Sequence, residues 1–406
     1  MTTTASHAFD HAPMADCPFM PVFGPPAIMF ERGRGTELWD STGKRYLDFL
    51  AGIAVVSLGH SNPVVAEAVG DQVERLLHVS NFFANPVATE AAVKINDLLL
   101  QATGSPGQVF FTNSGAESNE CALKLARKHG GRGRHTVVSA LGSFHGRTLA
   151  TLAATGQPTK HEPFAPMPDG FRHVAWGDLD AMRSAVDGSV AAVLIEPVQG
   201  EGGVHPASTE YLQGIRQLCD ETGALMMVDE IQTGFARTGR WFGFEHAGVR
   251  PDVVTLAKAM GNGMPVGACW ARTEVAAAFE PGDHGSTYSG TAIATAAVNA
   301  VIDEMQRIDA PATARRQGRR IVDALRSVPG VADVRGRGLM LGVELADGLD
   351  AKAIYADLLD RGLIANAVTP TTLRLVPPIT VTDAEIDEAV AMIAASLAAA
   401  SHGGPQ

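Results

Sequence analysis

Five short runs of nearly unbroken apolar residues most restrict the folds open to this chain: QVFFT (108–112), TVVSA (136–140), VAAVLI (190–195), ALMMV (224–228) and VVTLA (253–257). A strand covered on one face alternates apolar and polar residues, whereas a strand covered on both reads as a continuous apolar run. Amphipathic stretches such as ESNECALKLARK and STEYLQGIRQLCDET separate some of the runs, at lengths suited to helical crossovers. The pattern predicts an α/β fold with a mostly parallel sheet covered by helices, spanning a large domain over residues 62–295. Residues 1–61 read as an arm of about twenty residues followed by a small β-meander, cut by the turn signals GRG and STGK, that joins the small domain. Residues 296–406 read as that smaller α+β domain, whose last helix opens on the capping-box pattern Thr382-x-x-Glu385.

Composition removes several classes of function. A formal net charge of −12 argues against nucleic acid as a partner, because phosphate backbones call for basic surfaces. The opening MTTTASHAFDHAPMADCPF has neither a basic n-region nor an apolar h-region, so no secretion signal is expected. The most apolar stretch, AVAMIAASLAAA, is too short to span a membrane and suits a packed helix. Cys17, Cys121, Cys219 and Cys269 are far apart and form no CxxC pair, which favours free thiols in a reducing cytoplasm. No metal site is expected: the zinc pattern HExxH begins at His161 but fails at Ala165, and no GxSxG nucleophile turn occurs.

Ligands of open α/β sheets bind outside the carboxyl ends of the strands, so candidate site residues are expected there. They present Asn113-Ser114-Gly115-Ala116 before a helix, then SFHGR, Glu196 and Glu201, Asp229-Glu230-Ile231-Gln232, and Lys258. A strand, a turn of small residues and a helix N-terminus can cradle a phosphate, although an ordinary βα turn looks the same. Asp229 alone reads as a turn or capping residue, and Lys258 alone as a lysine extending to the surface. Together, a phosphate cradle, a strand-end carboxylate and a strand-end lysine are the parts that hold pyridoxal phosphate.

The motifs FFTNSGAESNECALKLAR, SFHGRTLATLAATGQP, EPVQGEGGV, VDEIQTGFARTG, TLAKAMGNGMP and HGSTYSG, in this order, resemble the class III pyridoxal-phosphate aminotransferases, nearest their acetylornithine and ornithine branch. The resemblance implies the type I fold of pyridoxal-phosphate-dependent transferases. It implies Lys258 as the Schiff-base lysine and Asp229 as the partner of the ring nitrogen, with Gln232 near the phenolic oxygen. Ser114, Gly115 and Ala116 match the phosphate turn, and Phe144 the ring stacked on the cofactor. Ser286 and Thr287 match residues that reach the site from a second subunit, Thr287 onto the phosphate, so a homodimer with shared sites is implied. Arg147 matches a clamp for the substrate carboxylate. Arg374 matches a second clamp, for the α-carboxylate of glutamate and 2-oxoglutarate, with Glu201 as its removable counter-charge.

The implied reaction moves the terminal amine of a small-molecule donor, N2-acetylornithine first, to 2-oxoglutarate, as in arginine biosynthesis. Ornithine, succinylornithine, succinyl-diaminopimelate and 4-aminobutyrate also fit such a donor. Two rivals are a glutamate-semialdehyde aminomutase of the same fold and a non-catalytic binding protein that has kept it. Two stretches depart from the family: TAIATAA, where Thr291 is expected to cap the helix, and AMGNGMP, with Ala259 and Asn262 where glycines are commoner.

Overall fold

The computed structural model describes residues 19–23, 26 and 28–402. Most of the expected N-terminal arm, with Cys17, lies outside them. The large sheet has seven strands in the spatial order Gly107–Thr112, Gly267–Arg272, Val253–Leu256, Leu225–Asp229, Val190–Ile195, Thr136–Ala140 and Phe171–Val174. Neighbours from Val253–Leu256 to Phe171–Val174 pair in parallel, and Gly267–Arg272 runs antiparallel to both its neighbours. The five apolar runs are all strands, with ends within one residue of the expectation.

Coverage on both faces explains the unbroken apolar runs. Leu225 and Met227 pack with Cys121 and Leu125 of the Gly115–Gly130 helix, while Met226 and Val228 pack with Tyr211 and Ile215 of the Thr209–Thr222 helix. Successive side chains point to opposite faces, so every residue of such a strand must be apolar. The Gly115–Gly130 helix carries Glu117 in its first turn and Arg127, Lys128 and His129 in its last, which suits the helix dipole.

A second, antiparallel sheet joins Val331–Arg337, Met340–Leu345, Thr372–Leu375 and Asn366–Ala367. The meander of Phe30–Arg34, Glu37–Asp40 and Arg45–Asp48 forms a third sheet, closed by Leu363–Ile364. The last helix, Asp383–His402, is capped by Thr382 N donating to Glu385 Oε2 (2.7 Å) and Glu385 N donating to Thr382 Oγ1 (3.3 Å). Thr291 sits at the N-cap of Ala292–Arg307 as expected, but its side chain makes no capping bond. Among the described residues no helix is long and apolar enough to cross a membrane, and Cys121, Cys219 and Cys269 are buried free thiols.

Candidate active site

The five strand ends read from the sequence open on one cavity of about 390 Å³. Ser114, Gly115, Ala116, Phe144, Arg147, Asp229, Gln232 and Lys258 all line it. Ser114 caps the Gly115–Gly130 helix by accepting from Glu117 N at 3.2 Å, which aims the free N–H groups of the first turn at the cavity end. A Cβ on Gly115 would come within 2.8 Å of Ile231, so the turn packs tightly beneath the wall that carries Asp229 and Gln232.

Asp229 ends its strand with both oxygens held. Oδ2 accepts from Asn119 Nδ2 and lies against His145 Nδ1, each at 2.8 Å, and Oδ1 accepts from Ile231 N at 3.0 Å. Oδ1 keeps a lone pair for a cationic N–H in the cavity. Asn119 is itself fixed by Thr255 Oγ1 at 2.8 Å, and Thr255 is the register partner of Asp229 in the next strand. The adjacent Glu230 points away: it accepts from Thr233 Oγ1, Gly243 N and Phe244 N, and burial pushes its carboxyl up to about 7.

Lys258 has φ of 47°, a left-handed backbone that bulky residues rarely adopt, two residues beyond the end of its strand. Its ammonium makes no hydrogen bond or ion pair among the described residues. Burial, and then the charge of Arg374, lowers its pKa, partly offset by Glu201, Asp229 and Glu196. A lysine with no partner in the wall of a cavity is poised as a nucleophile and base.

Arg374 is buried and held by three acceptors: Glu201 Oε1, Gln232 Oε1 at 3.3 Å and Asn366 Oδ1 at 2.8 Å. It therefore reaches the cavity wall through Gln232. Burial works against the charge of Glu201, but the charge and hydrogen bond of Arg374 outweigh it and hold that carboxyl below its usual range. Arg147 is the opposite case: exposed, 5.4 Å from the centre of the Phe144 ring, and in no ion pair among the described residues. Lys160, given no role by the sequence, stands 5.6 Å from the same ring.

Ser286 and Thr287 do not line the cavity of their own chain. Ser286 Oγ accepts from Asn113 Nδ2 at 3.0 Å, and Thr287 is exposed. Sequence reasoning missed Asn119 and His145, which orient Asp229, and passed over Glu196. Glu196 lines the cavity, and burial followed by the charge of Asp229 raises its pKa well above the usual range. The FHG stretch after a strand was the available signal for His145. The Asn262 departure has a local cause. At φ of 45° it takes a glycine-like backbone, and its side chain accepts from Leu58 N (2.8 Å) and donates to Gly59 O (3.1 Å), bonds no glycine could make.

The donor set fits pyridoxal phosphate. A helix N-terminus faces the phosphate position, Asp229 Oδ1 keeps a lone pair for the ring nitrogen, an aromatic ring lines the site, and a lysine without a partner among the described residues can bond the aldehyde.

The family model for class-III aminotransferases matches residues 21–397. An acetylornithine aminotransferase of Corynebacterium efficiens is 47% identical over 382 residues, covering 93% of this chain and 94% of that protein. Among solved structures, the N-acetylornithine aminotransferase of Stenotrophomonas maltophilia K279a superposes with a TM-score of 0.81 at 33% identity, covering 93% of this chain and 98% of that one. The ornithine aminotransferase of Toxoplasma gondii ME49 gives 0.89 at 31%, covering 96% and 94%.

Proposed function

The chain belongs to the class-III aminotransferases, and from that premise we propose that it carries the terminal amine of N2-acetylornithine to 2-oxoglutarate. The products are N-acetylglutamate 5-semialdehyde and glutamate, a step of arginine biosynthesis. As a member of this family it is a pyridoxal-phosphate enzyme that pairs a small-molecule amino donor with a keto acid.

The observation that carries the reading is the unequal state of two arginines. Arg147 stands open at the cavity, ready for a donor's α-carboxylate, while Arg374 is occupied by Glu201. A donor whose reacting end is a plain terminal amine brings no carboxylate for Arg374, so that charge must be covered. Glutamate and 2-oxoglutarate do bring one, and they displace Glu201 to form a bidentate pair.

Pyridoxal phosphate, when bound, supplies the aldehyde that takes up the amine and a ring that stabilises negative charge on the donor carbon. Ser114, Gly115 and Ala116 would hold its phosphate, together with Thr287 of a second copy. Phe144 would cover the ring, Asp229 Oδ1 would hold the ring N–H, and Gln232 would meet the phenolic oxygen. Lys258 Nζ removes a proton from the amine-bearing carbon of the donor and, in the return half, gives one to the corresponding carbon of 2-oxoglutarate. Its lowered pKa supports this task by raising the fraction of free amine near neutrality.

We place the enzyme in the cytoplasm as a homodimer. Asn81 Nδ2 holds the Ser286 loop through Ser286 O at 3.2 Å, and the exposed Phe82 and Phe83 next to Asn81, with exposed Tyr288 in the loop, support burial of this face by a second copy. In our domain division, 62–295 is the large domain and 296–406 the small one, which the meander of the arm-and-meander segment 1–61 joins. The Ala292–Arg307 helix, which runs through the second boundary, joins the two.

The test is a donor panel (acetylornithine, succinylornithine, succinyl-diaminopimelate, ornithine, 4-aminobutyrate) against 2-oxoglutarate, compared by kcat/KM. The reading expects acetylornithine first; a flat profile overturns it, and turnover of glutamate semialdehyde without any keto acid would point to an aminomutase.

A further inference from the structure

Glu201 sits at the tip of the hairpin made by Val198–Gln199 and His205–Pro206, and that tip is strained. Val204 is fully buried and β-branched, yet has φ of 58°, and Gly203 before it has φ of 120°. Such a backbone persists only where the surroundings over-determine it.

Two residues of the small domain's sheet do so. Arg335 donates twice to Gly203 O, from Nε at 3.0 Å and Nη2 at 2.6 Å. The guanidinium is itself fixed, through Nη1 to Glu344 Oε2 at 2.8 Å and Nη2 to Thr372 Oγ1 at 3.0 Å. Gly342 supplies the floor: a Cβ there would come 2.9 Å from Val204 Cβ and 3.1 Å from Gly203 O. Gly342 is the direct register partner of Arg374. The sheet that presents Arg374 therefore also grips the hairpin that presents Glu201.

We propose that Arg335 is a positioning residue for the Glu201–Arg374 pair, and through it sets how the enzyme divides its site between terminal amines and α-carboxylates. With the tip bolted down, only the torsions of Glu201 change when an α-carboxylate enters. With Arg335 removed, the strained tip relaxes off Gly342 and carries Glu201 away from Arg374. The inference rests on Glu201 being the removable counter-charge.

The test uses the cofactor-loaded enzyme and glutarate, a five-carbon dicarboxylate that cannot react, with Kd read by calorimetry. Arg335→Gln is expected to tighten glutarate about fivefold and to lower kcat/KM for acetylornithine about tenfold, without slowing the 2-oxoglutarate half-reaction. In a Glu201→Ala background the same substitution is expected to leave glutarate binding unchanged. Gly342→Ala, which lifts the tip with Arg335 intact, is expected to repeat the pattern. Equal losses in both half-reactions, or an Arg335 effect on glutarate that survives Glu201→Ala, would overturn the proposal. If acetylornithine is no donor at all, the proposed reaction fails while the glutarate cycle still judges Arg335.

Discussion

Asn262 offers the sharpest check on how the lysine loop is built. Its Oδ1 accepts from the N–H of Leu58, a residue only 2% exposed, and its Nδ2 donates to Gly59 O. Replacing it by glycine leaves that buried N–H without its acceptor, at about 1–3 kcal/mol. Alanine adds a second cost of about 1–2 kcal/mol, because the backbone at φ of 45° is left-handed and a Cβ without a compensating bond is strained there. Aspartate keeps the accepting oxygen and tolerates the backbone, losing only the donation to Gly59 O. The expected order of urea midpoints in the cofactor-loaded enzyme is therefore Asn262, Asn262→Asp, Asn262→Gly, Asn262→Ala. Hydrogen exchange followed by mass spectrometry of the 50–62 peptide separates the two terms. Protection at Leu58 should survive in the aspartate variant and be lost in the glycine and alanine variants. Equal midpoints for glycine and alanine would refute the backbone argument, and a protected Leu58 in Asn262→Gly would refute the anchor.

Three further outcomes are expected. Glu230, raised by burial to about 7, binds more protons folded than unfolded, so its contribution to stability is full below pH 4.5 and lost as pH rises through 7. The total is about 3 kcal/mol, and Glu230→Gln should remove that slope from urea unfolding between pH 5 and 8, whereas parallel curves would contradict it. Arg237 is fully buried with no carboxylate partner among the described residues, and burial pushes its guanidinium down to about 9; it donates to Leu339 O (3.1 Å), Pro377 O and Ser57 Oγ (2.8 Å). Arg237→Met removes the buried charge but orphans three acceptors from separate segments, for a net loss of about 1–3 kcal/mol in chemical unfolding. Gly267→Ala would bring a Cβ to 2.5 Å from Ser118 Oγ and 2.9 Å from Leu256 O, and the overpacking should cost about 1–3 kcal/mol and weaken binding of added pyridoxal phosphate in a titration.

What the sequence disclosed follows from where the side chains go. Strands covered on both faces announce themselves as apolar runs, and their carboxyl ends led to Asp229, Lys258 and the Ser114 turn. Two strands gave no such signal. Phe171–Val174 lies at the sheet edge and carries Arg172 and His173. Gly267–Arg272 opens on small residues, because the helix bearing Ser118 lies so close to Gly267 that a larger residue has no room. Asn119 and His145 were hidden for another reason. Their importance is a distance to Asp229, 110 and 84 residues along the chain, and no local pattern encodes that. Asn262 looked like a departure because a motif records the backbone that a loop needs and not the anchor a side chain can add.

The reversed strand Gly267–Arg272 has a mechanical consequence. A parallel neighbour is reached only through a long crossover, which leaves slack; an antiparallel one follows directly. The loop that carries Lys258, residues 257–266, is short and held at both ends, with Leu256 laddered to Ala268 before it and Gly267 laddered to Thr112 after it. The lysine's backbone is thus a fixed post tied into the sheet on both flanks. Under the proposed function, we expect the cavity to adjust to its two substrates through the parts around it: the Glu201 hairpin, the sheet behind Arg374 and the exposed Arg147. Substrate range can then drift by altering those parts while the post stays where it is.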